Sequence, residues 1–236
     1  MKAKELVADL LEIKRKNVFR FESVRECIPL GRDRYGNVVV AHLGERPTFS
    51  HTVLVDGENK TEYLIGMICL LAGLYEDGQV AFNVLSPKRE YARLLLLPQA
   101  DVNVFYTDTK EQFEECRQAL LSELENSKKK QIFVLDGLER FAEKSLDGTK
   151  PYIDFLDKTL GKYCEILMGI DLEKSLFSGF PGAIVGSGNA VLVLKGDGQA
   201  NLTRVGEDSS LGVPTEIDTF DWDTAVSGVG NVFERQ

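Results

Sequence analysis

A chain of 236 residues with 43% hydrophobic side chains is long enough to bury a substantial core, as one large domain or one domain with small additions. Its net charge of −9, with acidic residues spread along the length, argues against non-specific nucleic-acid binding, which needs Lys and Arg to neutralise phosphates. The four cysteines, Cys27, Cys69, Cys116 and Cys164, are far apart and lack metal-ligand spacing, which fits reduced, buried thiols in a cytosolic setting.

Ala3 to Ile13 carries a helical stripe of Leu6, Val7, Leu10 and Leu11. Cys27 to Gly31, a turn at Asp33 to Gly36, and Asn37 to Leu43 read as a β-hairpin. Thr52 to Val55 is a buried strand broken by Asp56-Gly57, and Lys60-Thr61 opens a helix running to Tyr75. That run, the longest apolar-rich one, is too short to span a membrane and holds two glycines, Gly66 and Gly73. Further strands are expected at Gln79 to Leu85, Val102 to Tyr106, Gln131 to Leu135, Cys164 to Ile170, Ala183 to Val185, Ala190 to Leu194 and Asn201 to Val205. Thr109 and Gln112 have the spacing of a capping box that starts a helix with Phe113, Cys116, Leu120 and Leu124 on one face. Tyr152 to Leu160 is a second amphipathic stretch, and past Gly206 the composition turns acidic and polar, with Thr224 to Gln236 expected to be mobile. Short buried strands alternating with helices imply an α/β fold: a mostly parallel sheet with helices on both faces.

The stretch from His51 to Thr61 has the layout of a phosphate-binding loop: strand, Gly-bearing turn, Lys-Thr, helix. A working loop has the pattern G-x-x-x-x-G-K-[ST], so five residues separate its first Gly from the Lys. Here two residues, Glu58 and Asn59, stand between Gly57 and Lys60, and the second Gly is missing. Glu58 and Glu62 put carboxylates at a helix start that would otherwise favour phosphate. The plain alternative is a βα turn with a polar tip.

Taken together, these pieces resemble the FtsK/SpoIIIE family of motor ATPases. Ile28 to Gly31 with Asp33, Gly36 and Val39 to Ala41 is similar to the segment before that family's phosphate loop. Pro47 and His51 to Gly57 resemble the strand entering it. Leu85 to Lys88 resembles the family's Asp-Pro-Lys motif, with Ser86 in place of the Asp, and Gln131 to Asp136 resembles the strand ending in the Mg²⁺-associated Asp. Gly137 follows where the family usually carries a catalytic Glu, and Glu139 is a poor substitute. Pro181-Gly182 and the strands after it resemble the closing strands.

The resemblance implies a RecA/FtsK-like phosphate-loop NTPase fold over 25–206, after an N-terminal helix and linker at 1–24 and before an extension at 207–236. Broken loop and acidic motifs are characteristic of the later tandem copies in type VII secretion ATPases, EssC and EccC. It therefore implies a catalytically inactive copy, cytoplasmic within a membrane-anchored parent, that docks substrates or regulates an active domain. The implied partners are other FtsK-like domains of the same motor and secreted WXG-like helical-hairpin substrates, with no nucleic acid. No catalytic residue and no metal site are expected. Gly57, Lys60, Thr61 and Asp136 form a degenerate nucleotide site, and no cofactor is expected there, although ATP and Mg²⁺ are what an intact version would hold. A nucleotide-binding or active FtsK-like ATPase or DNA translocase is the alternative. At the level of single residues, Asp136 is either a Mg²⁺-linked carboxylate or, preferred here, a strand-end Asp making a turn or cap. Lys88 is expected at the surface. His42 and His51 are expected to be structural, and Gly186 to Asn189 a hairpin rather than a phosphate nest.

Overall fold

The computed structural model describes residues 27–42, 51–74, 80–97, 101–126, 129–137, 164–171, 190–204 and 212–219. The expected helices at Ala3 to Ile13 and Tyr152 to Leu160, the strand at Ala183 to Val185, the Gly186 to Asn189 turn and the tail from Thr224 lie outside these residues, as do the side chains of His42 and His51. Among the described residues, ten strands form one sheet in the order β2-β1-β10-β9-β8-β3-β7-β6-β4-β5. They are β1 (Cys27–Arg32), β2 (Val38–His42), β3 (His51–Gly57), β4 (Val80–Ser86), β5 (Asp101–Tyr106), β6 (Lys130–Asp136), β7 (Cys164–Gly169), β8 (Ala190–Leu194), β9 (Gln199–Arg204) and β10 (Thr215–Asp218). From β8 to β5 the pairing is parallel throughout. From β8 to β2 it is antiparallel.

The parallel half behaves as an apolar run buried on both faces should. Val53, Leu54 and Val55 of β3 are all fully buried. Val53 and Val55 join helix α1 (Lys60–Leu74) on one face of the sheet, and Leu54 joins helix α2 (Lys110–Asn126) on the other. In α1, Tyr63, Leu64, Ile65, Met67, Ile68, Cys69 and Leu71 are all buried, so this helix is apolar around its circumference because it is covered around its circumference. Helix α2 is one-sided, with Phe113 and Leu120 buried and Glu111, Gln112, Glu115, Gln118 and Ala119 exposed. Its capping box is formed as the spacing requires: Gln112 N donates to Thr109 Oγ1 at 3.2 Å, and Gln112 Oε1 accepts from Thr109 N at 3.2 Å and Asp108 N at 2.8 Å.

The hairpin of β1 and β2 is an extension of the same sheet. Its turn is held by Asp33, whose Oδ1 accepts from Tyr35 N and Asn37 N, both at 2.9 Å. The strand that joins this hairpin to the rest is β10, paired with β9 along four residues and with β1 at Arg32 and Asp218. It lies in the acidic segment past Gly206, where composition alone does not reveal it. Tyr63 Oη donates to the Leu30 carbonyl at 2.8 Å and fastens α1 across to β1. No helix among the described residues is long and apolar enough to cross a membrane.

Candidate functional site

The carboxyl ends of β3, β7, β6 and β4 lie side by side, the position where open parallel sheets bind ligands. The β3 end carries the shortened loop. Gly57 is the last residue of the strand, with φ +97°, and a Cβ there would run into the Leu194 carbonyl oxygen of β8. Glu58 and Asn59 are exposed; Asn59 has φ +60°, and Tyr63 N donates to its carbonyl at 3.0 Å as α1 begins. The Lys60 ammonium donates to the carbonyl of Ile170 at 2.7 Å, just beyond β7, while Ile170 N donates back to Val55 O at 2.9 Å. Arg93 Nη2 donates to the Glu62 carboxylate at 2.5 Å.

Thr61 and Asp136 come together from α1 and β6, with Thr61 Oγ1 donating to Asp136 Oδ2 at 2.8 Å. The Asp136 side chain is fully buried. Its second partner is Lys88, whose Nζ lies 3.0 Å from both carboxylate oxygens and 2.6 Å from Thr61 Oγ1. Its third is Tyr91, whose buried hydroxyl donates to Oδ2 at 2.9 Å. One hydroxyl thus donates to the carboxylate and accepts from the ammonium, and the carboxylate is met by an ammonium and two hydroxyls. Burial and the attached carboxylate hold the Tyr91 phenol well above its ordinary pKa, so it stays a donor.

Two expectations are corrected here. Asp136 does more than end a strand: it is the buried centre of a polar cluster, and the stretch after Gly137 that it was expected to cap lies outside the described residues. Lys88 is not a surface lysine, for its side chain is 29% exposed and its ammonium points inward. The local chain directs it there. Lys88 N donates to Ser86 Oγ at 3.1 Å, closing a turn around Pro87, and a 3₁₀ helix (Arg89–Leu96) follows. Tyr91 and Leu94, three residues apart on that helix, share its buried side.

Two glycines make the room. Gly169 pairs with Asp136 across β7 and β6, and a Cβ there would stand 2.5 Å from Asp136 Oδ1 and 3.0 Å from Leu64 Cδ1. Gly137 has φ +74°, and a Cβ would meet Lys88 Cε at 3.3 Å. Neither Gly169 nor Tyr91 is singled out by the sequence, and Gly137 is marked there only as standing where the resembled family carries a Glu. For Lys88 there was a signal, its place in the Leu85 to Lys88 motif.

In phosphate-loop ATPases a hydroxyl after the loop lysine and an Asp at a strand end hold Mg²⁺, which demands octahedral oxygen ligands at about 2.0–2.1 Å. Thr61 and Asp136 have those positions, but the Lys88 ammonium lies between them. As arranged, these residues do not fit a divalent cation. Among the described residues no group of three His, Cys, Asp or Glu could hold a metal either.

No protein-family model matches the chain, and no curated protein matches it. Solved structures do. The cytoplasmic domain of the type VII secretion ATPase EccC from Thermomonospora curvata superposes with a TM-score of 0.60 at 12% identity, over 83% of this chain and 26% of that one. The same organism's EccC, ATPases 2 and 3 in complex with a signal sequence peptide, gives 0.61 at 13%, over 83% of this chain and 40% of that one. EssC ATPases 2 and 3 from Geobacillus thermodenitrificans give 0.54 at 12%, over 89% and 49%. The chain therefore spans about a quarter to a half of the length of these proteins. In fold, it is similar to the cytoplasmic ATPase domains of the type VII secretion proteins EccC and EssC, an α/β NTPase architecture reached at identities that leave its function to be argued from its own residues.

Proposed function

We propose that the chain is a catalytically inactive FtsK-like domain of a type VII protein secretion motor, which docks secreted substrates or regulates an active ATPase domain beside it. The observation that carries this reading is the Lys60 ammonium turned onto the Ile170 carbonyl, behind a two-residue turn. In a working loop that lysine reaches the β- and γ-phosphates while backbone N–H groups wrap the phosphates. Here it is already engaged at the end of β7, and Glu58 and Asn59 leave too little backbone to encircle a phosphate. Gly137, at the position where the resembled family carries the Glu that polarises an attacking water, has no side chain to do so.

A docking role draws support from fold similarity to EccC, which has been seen with a signal sequence peptide bound. The partners are then helical-hairpin substrates and neighbouring FtsK-like domains, and the parent protein is membrane-anchored with this domain in the cytoplasm. A nucleotide-binding or DNA-translocating role is the competing reading, favoured by the proximity of Thr61 and Asp136 and disfavoured by the net charge of −9.

Calorimetric titration with ATP, with and without Mg²⁺, and a steady-state hydrolysis assay test the inactive assignment. No saturable heat and no turnover above background are expected. A micromolar Kd together with turnover abolished by Lys60→Ala rejects it. Titration with a helical-hairpin substrate carrying its secretion signal tests docking, and absence of binding leaves regulation of a neighbouring domain as the surviving half.

A further inference from the structure

We propose that Lys88 is a built-in replacement for the divalent cation, a permanent internal charge that locks the ends of β4 and β6 to the start of α1 without nucleotide or metal. Three independent features converge on it. The Nζ stands 2.6 Å from the Thr61 hydroxyl and 3.0 Å from both Asp136 oxygens, bridging the two groups that a metal would bridge. Thr61 and Tyr91 also donate to Oδ2, so each carboxylate oxygen has at least one protein partner. Gly137 stands where the resembled family carries its acidic residue, and any side chain there would meet the Lys88 stem at 3.3 Å. The missing side chain therefore leaves the lysine stem room to lie along the end of β6.

Asp136 makes the lock necessary. A carboxylate with no exposed side-chain surface needs a compensating charge, and one that resides in the chain is present at every metal concentration. Lys88 and Tyr91 flank the start of the 3₁₀ helix, so the same cluster also pins that helix to the sheet. The result is a domain held in one arrangement that, in a metal-dependent relative, bound ligand would have to supply.

The proposal rests on the reading that this site does not turn over ATP, and the two fail separately: hydrolysis rejects that reading, whereas a Mn²⁺ response of the native chain rejects only the lock. The experiment is thermal unfolding of the whole chain with and without MnCl2, for wild type, Lys88→Met and the double variant Lys88→Met/Asp136→Asn. Direct Mn²⁺ titration by electron paramagnetic resonance accompanies it, and the double variant reports weak binding to surface carboxylates. Wild type is expected to show the same Mn²⁺ response as the double variant. Lys88→Met should fall in Tm by on the order of 10 °C, because it leaves Asp136 buried without its counter-charge. It should also gain a Mn²⁺ site, with Tm rising about 5 °C or more at Mn²⁺ a hundredfold above Kd. The double variant should recover most of the lost Tm. A Mn²⁺ shift in wild type above that of the double variant overturns the proposal, and so does a Lys88→Met chain as stable as wild type. If Lys88→Met does not fold, recovery of folding in the double variant upholds the lock and its failure overturns it.

Discussion

Gly57 is the site residue whose role can be separated most cleanly into structure and ligand binding. Replacing it with Ala imposes two penalties: a side chain at φ +97°, and a Cβ driven into the Leu194 carbonyl oxygen with Leu194 N only 3.0 Å away. The first is worth about 1–2 kcal/mol. The second is contact with backbone, which no rotamer change relieves, so β3 and β8 must part where they pair at Gly57 and Leu194; overpacking of this kind adds about 1–3 kcal/mol. Gly36, in the turn between β1 and β2, supplies the control. It has φ +83° and nothing within 4 Å of a Cβ, so Gly36→Ala bears the conformational penalty alone. Both substitutions gain the same few tenths of a kcal/mol from a stiffer unfolded chain. Urea unfolding should place Gly57→Ala below Gly36→Ala by about 1–3 kcal/mol at equal m-values. Equal losses for the two would refute the close strand approach as the reason for this glycine, and would return it to the role of a phosphate-loop residue.

Other consequences follow from named bonds. Tyr63→Phe removes the buried hydroxyl that ties α1 to the Leu30 carbonyl and should lower stability by about 1 kcal/mol in the same urea assay, with no loss if that tie is idle. Asn83, fully buried on β4, donates to Gln131 Oε1 at 2.8 Å and accepts from Asn103 Nδ2 at 3.1 Å, a ladder across β5, β4 and β6. Asn83→Ala takes that partner from both neighbours and should destabilise by about 2–3 kcal/mol, more than Asn103→Ala at the end of the ladder. Burial pushes the Cys69 thiol up to about 11 from 9.0. The unfolded thiol ionises first, so Cys69 contributes stability that is complete below pH 9 and is lost as pH rises to 11. The loss is about 2–3 kcal/mol across that window. Subtracting the unfolding curve of Cys69→Ala should isolate it, and parallel curves for the two proteins would refute the burial argument.

Much of the parallel half was legible because it has one physical cause. A strand covered on both faces needs a nearly continuous apolar run, and Thr52 to Val55, Gln79 to Leu85 and Gln131 to Leu135 supply such runs, Asn83 being the polar exception in the second, with glycine, proline or aspartate following them. The Asp33 turn and the Thr109 box were legible because their hydrogen bonds close within four residues. Strand β10 was not, since it buries only Ile217 of its four residues and is held by backbone pairing to β9. One inward side chain gives no period to read. The site divides the same way. Thr61 and Asp136 were found from local patterns, and the fold brings their side chains into contact. Lys88, Tyr91 and Gly169 answer to Asp136, which is distant in sequence from each. A lysine after a proline looks the same on paper whether its ammonium meets water or a carboxylate.

The four strand ends bear on how such a domain could work inside a motor. In a nucleotide-driven switch, groups at these ends are left for the ligand, and binding shifts the balance between two states by its difference in affinity for them. Here Lys60 takes the Ile170 carbonyl, Ile170 N takes Val55 O, and Lys88, Thr61 and Tyr91 take Asp136. The side chains of Lys60, Thr61 and Asp136, which would have answered to a phosphate or a metal, already answer to the chain. A ligand arriving at this crevice must first break those bonds, at a cost in the range of the buried pair it disrupts, about 3–5 kcal/mol, or two to four powers of ten in affinity. On the function proposed above, these bonds disfavour a second, ligand-held state, and the stability of the chain should be indifferent to nucleotide at concentrations that saturate an active copy.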